Sequence, residues 1–303
     1  MSDQMKFPAR PLFDIVANGM AANVLRTAGP FGERSMAAPK GGEFRGDRIS
    51  GTIVPNLANE WQIKSGTQAG LSFVQGLITL TTGAGDAILM KYVGRRSAFY
   101  ADSWRIGACF EADGAADWLN DVVAAGRVEV VGDDLRFSLH ELLGRKSPID
   151  DHSLDTEPLY TMAASGSVGE RFKINSPIGG RYLSVADSGC DTQGRLQAHW
   201  PAGFSWGAHR TGLHSAEGMG FPFHIDLTVG LVAEDGATIF QSYIGTNSRE
   251  LVNRSPDIDR SWRTIAMFEA PADGPHAYLN EVIALGFGWV EANEANYEYR
   301  IMK

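Results

Sequence analysis

Four of the seven histidines, His199, His209, His214 and His224, fall between positions 199 and 224. Imidazole titrates near neutrality without help, so such a cluster is a candidate set of general acids and bases. Asp226 stands two residues after His224. On a strand that spacing puts both on one face, either lining a site or forming an ordinary solvent-facing edge. Tyr243 adds a phenol, Arg263 a permanent cation, and Trp200, Trp206 and Trp262 an aromatic wall. These types could take a proton from a phenol, hold an anionic group and protonate a departing oxygen. The candidate catalytic residues are therefore His199, His209, His214, His224, Asp226 and Tyr243, with Arg263, Trp200, Trp206 and Trp262 binding substrate. Glu60, Lys91, Tyr100 and Arg105 form the fallback set in the first half. The histidine spacing fits no helical zinc motif, and the expectation is no metal and no cofactor.

Two other motifs invite chemistry and fail on context. Gly83-Ala84-Gly85 follows an apolar strand, as a dinucleotide fingerprint would, but position 88 is Ile and strand-forming residues follow. Gly203-Phe204-Ser205-Trp206-Gly207 has the glycine–serine–glycine spacing of a nucleophile elbow, which needs a helix directly after the serine. Gly207, Gly212, Gly218 and Gly220 argue for a loop there.

The elements that must position these groups come in two copies. Trp104-Arg105 leads to Phe110-Glu111-Ala112 and Trp118-Leu119-Asn120, while Trp262-Arg263 leads to Phe268-Glu269-Ala270 and Tyr278-Leu279-Asn280. Upstream, Leu12-Phe13 matches Leu159-Tyr160, Gly41-Gly42 matches Gly179-Gly180, and Tyr92-Val93-Gly94 matches Tyr243-Ile244-Gly245. The order is kept while the offset drifts from 147 to 160, the mark of a tandem duplication. The expected organisation is a first domain over 8–143, a linker over 144–158 and a second domain over 159–303. None of the four clustered histidines has a histidine counterpart in the first half, which directs attention to the second copy.

Within each copy the periodicity is that of strands. Phe223, Ile225, Leu227, Val229 and Leu231 alternate with His224, Asp226, Thr228 and Gly230, and Asp235-Gly236 supplies a hairpin turn before Ala237–Tyr243. Leu77–Thr82 and Ile88–Val93 repeat this around Gly83–Asp86, and Leu135–Leu142 and Asn296–Ile301 alternate again. Asp117–Ala125 is the one segment suited to a helix, and Thr27–Pro39 and Ala202–Pro222 read as long loops. The fold class is all-β, a barrel or sandwich in each half.

Composition sets the outer limits. The 303 residues are 44% apolar with 27 basic and 36 acidic side chains, a net charge of −9. Such a chain can bury a core, and its acidity argues against sequence-independent nucleic-acid binding. No apolar run reaches the ~18 residues of a membrane helix. Two cysteines, Cys109 and Cys190, suit a reducing compartment, so a soluble cytoplasmic protein is expected.

Gly41-Gly42-Glu43-Phe44-Arg45-Gly46, the strand Gly51-Thr52-Ile53-Val54-Pro55, Glu60-Trp61, Phe110-Glu111 and Trp118-Leu119-Asn120 resemble a bacterial domain-of-unknown-function family. The likeness covers nearly all of the first half and, more loosely, the second, through Trp206, Asp226, Asp235-Gly236 and Leu279-Asn280. The resemblance implies lipocalin-like barrels, two here where the family has one. The family's Asp-Trp acid aligns with Glu60 and Ser205, and a second family acid survives only as Asp226, with Gln75 at that place in the first half. Some relatives are linked to catabolism of lignin-derived aromatics. The resemblance thus implies a cofactor-independent carbon–carbon lyase that releases carbon dioxide or formaldehyde from a phenolic substrate through a quinone-methide-like intermediate. The competing reading is a non-catalytic barrel binding an aromatic or apolar ligand. The expected partners are a small aromatic substrate and a second copy in a homodimer, with no nucleic acid and no membrane.

Overall fold

A computed structural model describes residues 5–29, 32–66, 68, 70–101, 103–164, 168–176, 179–186, 189–201, 205–207, 209–211, 223–247, 261–291 and 294–303. Of these, 164, 168–176, 179–186, 205–207, 209–211, 223, 247 and 290 are described by backbone alone. Two closed, antiparallel, eight-stranded barrels result.

The first barrel occupies the compact unit Ala9–Leu142. Its strands are Ala9–Ala17, Gly42–Arg45, Ser50–Lys64, Ser72–Thr82, Ala87–Arg96, Trp104–Ala112, Val123–Val131 and Asp134–Leu142. Each neighbours the next around the ring, and Asp134–Leu142 closes it on Ala9–Ala17. Alternation sets the lumen: Ile88, Met90 and Tyr92 are buried while Leu89 and Lys91 face out. The interior packs Phe13 edge-on against Phe44 and Phe110 at 5.4 and 5.8 Å, and Phe137 against Tyr92 at 5.5 Å. Each such fully buried ring stabilises the fold by about 1.5–3 kcal/mol.

The segment expected as a helix, Asp117–Ala125, is divided instead. A 3-10 turn over Gly114–Asp121 caps one end of the barrel with Ala116 and Leu119, and strand Val123–Val131 follows. The β-branched pair Val122-Val123 favours strand, and Gly126 must stay close to the neighbouring backbone, since a Cβ there would lie 2.0 Å from the Ser138 carbonyl oxygen. The expected loop Thr27–Pro39 is also corrected: Val24–Gly29 and Gly32–Ala37 form a hairpin whose second strand pairs with Glu60–Lys64. That pairing depends on the overhanging end of a 15-residue strand, which local composition does not reveal.

The second barrel repeats this order with Leu154–Ala164, Cys190–Gly194, Ala198–Trp200, Phe223–Ala233, Thr238–Asn247, Trp262–Glu269, Ile283–Glu291 and Glu294–Met302. Residues 154–158, placed in the linker from sequence, are thus already strand. Met5–Phe7 pairs with Leu154–Thr156 and groups with Leu143–Lys303, its Phe7 ring stacked on Phe287 at 4.0 Å. The repeat's shared asparagine has the same duty in both copies. Asn120 accepts from the Ala112 amide and donates to the Ala112 carbonyl, both at 2.8 Å. Asn280 does the same with Ala270 at 2.9 and 3.0 Å. Among the described residues, no helix is long and apolar enough to cross a membrane.

Candidate functional site

Three adjacent strands of the first barrel run in step across the lumen. Glu60 lies beside Gly76 and Gly76 beside Tyr92; the next layer is Gln62, Val74 and Gly94, and the next Lys64, Ser72 and Arg96. The two-residue spacing keeps all nine on one face, and Ala108 and Ile106 continue the first two layers.

The lowest of these layers holds the barrel's buried acid. Glu60 is 3% exposed and Tyr92 is 0% exposed. The Tyr92 hydroxyl donates to Glu60 Oε2 at 2.6 Å, and Gln62 Nε2 donates to Glu60 Oε1 at 2.6 Å. Burial pushes the Glu60 carboxyl above its usual range, opposed by these two hydrogen bonds. Burial, and then the neighbouring carboxylate, push the Tyr92 phenol well up. Gly76 makes the pair possible, because a Cβ there would lie 2.2 Å from Tyr92 Cζ. A carboxyl poised in this way can accept a proton from a weak acid and return it.

The other first-half candidates point elsewhere. Lys91 is exposed on the outer face, one residue out of phase with Tyr92. Arg105 alternates with the lumen residues Trp104 and Ile106, donates to Ser103, and has its guanidinium 4.9 Å from the Tyr100 ring. Burial lowers the Arg105 pKa from its usual value.

In the second barrel Tyr243 and Trp200 come together with Tyr160, Tyr297, Tyr299 and Gln241 around a cavity of about 10 Å³, on the order of one water. Trp262 packs on this cluster, its ring 5.6 Å from Tyr297. Tyr160 donates to Gln241, and burial raises all four phenols, Tyr297 to about 12. His199 is not with them: it is exposed and bonded to Asp191 at 2.8 Å. His224 and Asp226 share a face, and Asp226 is exposed on it while the alternate residues Ile225 and Val229 are buried. Arg263 alternates with the inward Ala266 and Phe268 in the opposite phase, paired in register with Phe287. His209 and Trp206 are described by backbone alone, and His214 lies outside the described residues. Ser205–Gly207 is a short strand paired with Leu227–Val229, so no strand-to-helix turn follows the serine. Among the described residues, no three His, Cys, Asp or Glu side chains gather as a metal would require.

Strand register also revises the comparison between copies. Tyr92 pairs with Ala108 and Tyr243 with Ala266, so the two tyrosines correspond. Gly76 then corresponds to Leu227, and the residue opposite Leu227 is Gly207. The position of Glu60 is therefore Gly207 in the second barrel, two residues beyond the Ser205 that sequence alignment chose. Tyr92, Gln62, Tyr160, Tyr297 and Tyr299 are site residues that the sequence reading left out. The signal for them was phase: Tyr297 and Tyr299 are two apart on one strand, and Tyr92 aligns with Tyr243.

Residues 8–142 match the family model described as a protein of unknown function (DUF3237). Among solved structures, a beta-barrel like protein from Acinetobacter baumannii is 24% identical, covering 47% of this chain and 100% of its own, with a TM-score of 0.41. A conserved protein of unknown function from Rhodopseudomonas palustris is 20% identical, covering 46% and 99%, at 0.41. An enzyme from Penicillium herquei is 15% identical, covering 46% and 98%, at 0.33. No curated protein matches the chain. The match to the family model falls on the first barrel, and the second barrel repeats its strand order.

Proposed function

We propose that this protein is an acid/base enzyme whose proton-transfer group is Glu60 in the lumen of the first barrel. The observation that supports this reading is a nearly inaccessible carboxyl, hydrogen-bonded to a phenol and an amide, at a place where the duplicate barrel has only Gly207. Burying an ionisable group costs several kcal/mol, and nothing in the second copy requires it for folding. The reaction we assign is cofactor-independent carbon–carbon cleavage of a phenolic aromatic. Glu60 takes the phenol proton, the ring carries the charge as a quinone-methide-like system, and carbon dioxide or formaldehyde departs. A proton then returns to the carbon left behind. Tyr92 orients the carboxyl, and Trp104, buried on the same lumen face, offers a ring to pack on.

A second reading places an aromatic ligand in the second barrel, favoured by the convergence of Trp200, Tyr243 and Trp262 with three further tyrosines. Turnover of a panel of phenolic acids and hydroxymethyl phenols, followed by mass spectrometry, separates the two. Folded Glu60→Gln should lose product formation while Tyr243→Phe keeps it. The reverse pattern would move the chemistry to the second barrel.

A further inference from the structure

Above Glu60 the first barrel opens into a pocket of about 460 Å³ lined by Lys64, Ser72, Arg96, Ser65, Ser97 and Leu71. That is the size of a small-molecule site, and among the described residues no carboxylate lines it. In a chain of net charge −9, two cations and three hydroxyls at one barrel mouth run against the overall balance. The register explains how they meet: Lys64, Ser72 and Arg96 form the third lumen layer, four residues above Glu60, Gly76 and Tyr92 on three neighbouring strands. Four residues of strand span about 13 Å.

Ser72 completes the arrangement: it is 8% exposed, lines the pocket, and stands on the strand between those that carry Lys64 and Arg96. The duplicate barrel does not preserve the arrangement, since Phe223 and Asn247 pair where Ser72 and Arg96 pair. Lys64 is bound at 2.7 Å to Glu33, so the rim charge of Lys64, Arg96 and Glu33 is one positive unit.

We infer that the mouth of the first barrel binds the carboxylate of a singly charged organic acid through Lys64, Arg96 and the Ser72 hydroxyl. This inference rests on the lumen reading above, in which the rest of the acid extends toward Glu60. A net charge of one suits a carboxylate better than a doubly charged phosphate. Glu33 competes for Lys64 and so tunes the affinity.

Binding, rather than turnover, is the test. Titrate 4-hydroxybenzoate, 4-hydroxybenzamide and inorganic phosphate into the full chain at low salt by calorimetry. Use wild type, Lys64→Met, Arg96→Met, Ser72→Ala, Glu33→Gln and Glu60→Gln, each checked for wild-type circular dichroism. The carboxylate should bind about tenfold or more tighter than the amide, and each loss of a cation should weaken it about tenfold. Ser72→Ala should weaken it severalfold, and Glu33→Gln should tighten it, a gain that a merely structural cation pair would not give. Equal binding of acid and amide, tighter binding of phosphate, or indifference to both cation variants would each overturn the inference. Because Glu60→Gln should retain binding, failure of the catalytic reading and failure of this one are read separately. An active Glu60→Gln that still binds the acid rejects only the former.

Discussion

Replacing Gly76 by alanine puts the first-barrel site under a single, well-defined strain. The added Cβ would lie 2.2 Å from Tyr92 Cζ and 2.4 Å from its hydroxyl oxygen. Forcing a methyl group into a packed core costs about 1–3 kcal/mol. Moving the ring also breaks the bond to the buried Glu60, which adds about 1–3 kcal/mol. The expected loss is therefore about 2–6 kcal/mol, a large fraction of the 5–15 kcal/mol that typically holds a domain. Tyr92→Leu removes the atoms that clash. A double-mutant cycle by urea denaturation should then show Gly76→Ala costing no more than about 1 kcal/mol in the Tyr92→Leu background. An equal cost in both backgrounds would refute the claim that Gly76 exists to admit Tyr92.

Other outcomes follow from the same geometry. Asn120→Ala and Asn280→Ala should each cost about 2–4 kcal/mol by chemical denaturation, since both break the same two bonds to the facing backbone. Asn120→Ala should cost the more, because it also loses the bond to the Asp117 carbonyl. The folded Glu60 carboxyl titrates above its usual value, so its contribution to stability is fully present below about pH 4.5 and is lost as pH rises through the folded pKa. Glu60→Gln should accordingly gain melting temperature relative to wild type as pH rises from 4.5 to 8. A flat difference across that window would remove the carboxyl from the buried site. Cys190, buried with its thiol pushed up to about 11, should resist iodoacetamide in the native protein at pH 8, and rapid labelling read by mass spectrometry would contradict its burial. His199→Ala should shift stability by no more than about 0.5 kcal/mol in the same melts, as befits an exposed imidazole.

The duplication and the barrels were readable because ordered repeats and period-2 alternation survive in the chain itself. Phe223–Ala233 lengthens its expected run by only two residues, and the Asn120 and Asn280 matches turned out to be equivalent clamps. The site was less readable, for two reasons. Chemical type does not reveal phase: His224 and Asp226 share a face as expected, but the inward face belongs to Ile225 and Val229. Sequence alignment also slips where one long strand, Ser50–Lys64, is replaced by three short ones, Ala198–Trp200, Ser205–Gly207 and His209–Thr211. Across that break Glu60 was set against Ser205, and only the pairing through Leu227 sets it against Gly207. Counting histidines favoured the second copy; the buried, hydrogen-bonded acid is in the first.

The pH dependence of kcat/KM for the best phenolic acid, compared between wild type and Glu60→Gln, tests the central claim most directly. Wild type should show an acid limb with an apparent pKa above 4.5, set by the buried carboxyl. Glu60→Gln should lose that limb and about 10²–10⁴-fold in rate while keeping the melting behaviour of a folded chain. A Glu60→Gln enzyme within twofold of wild type, with the acid limb unchanged, would contradict the account.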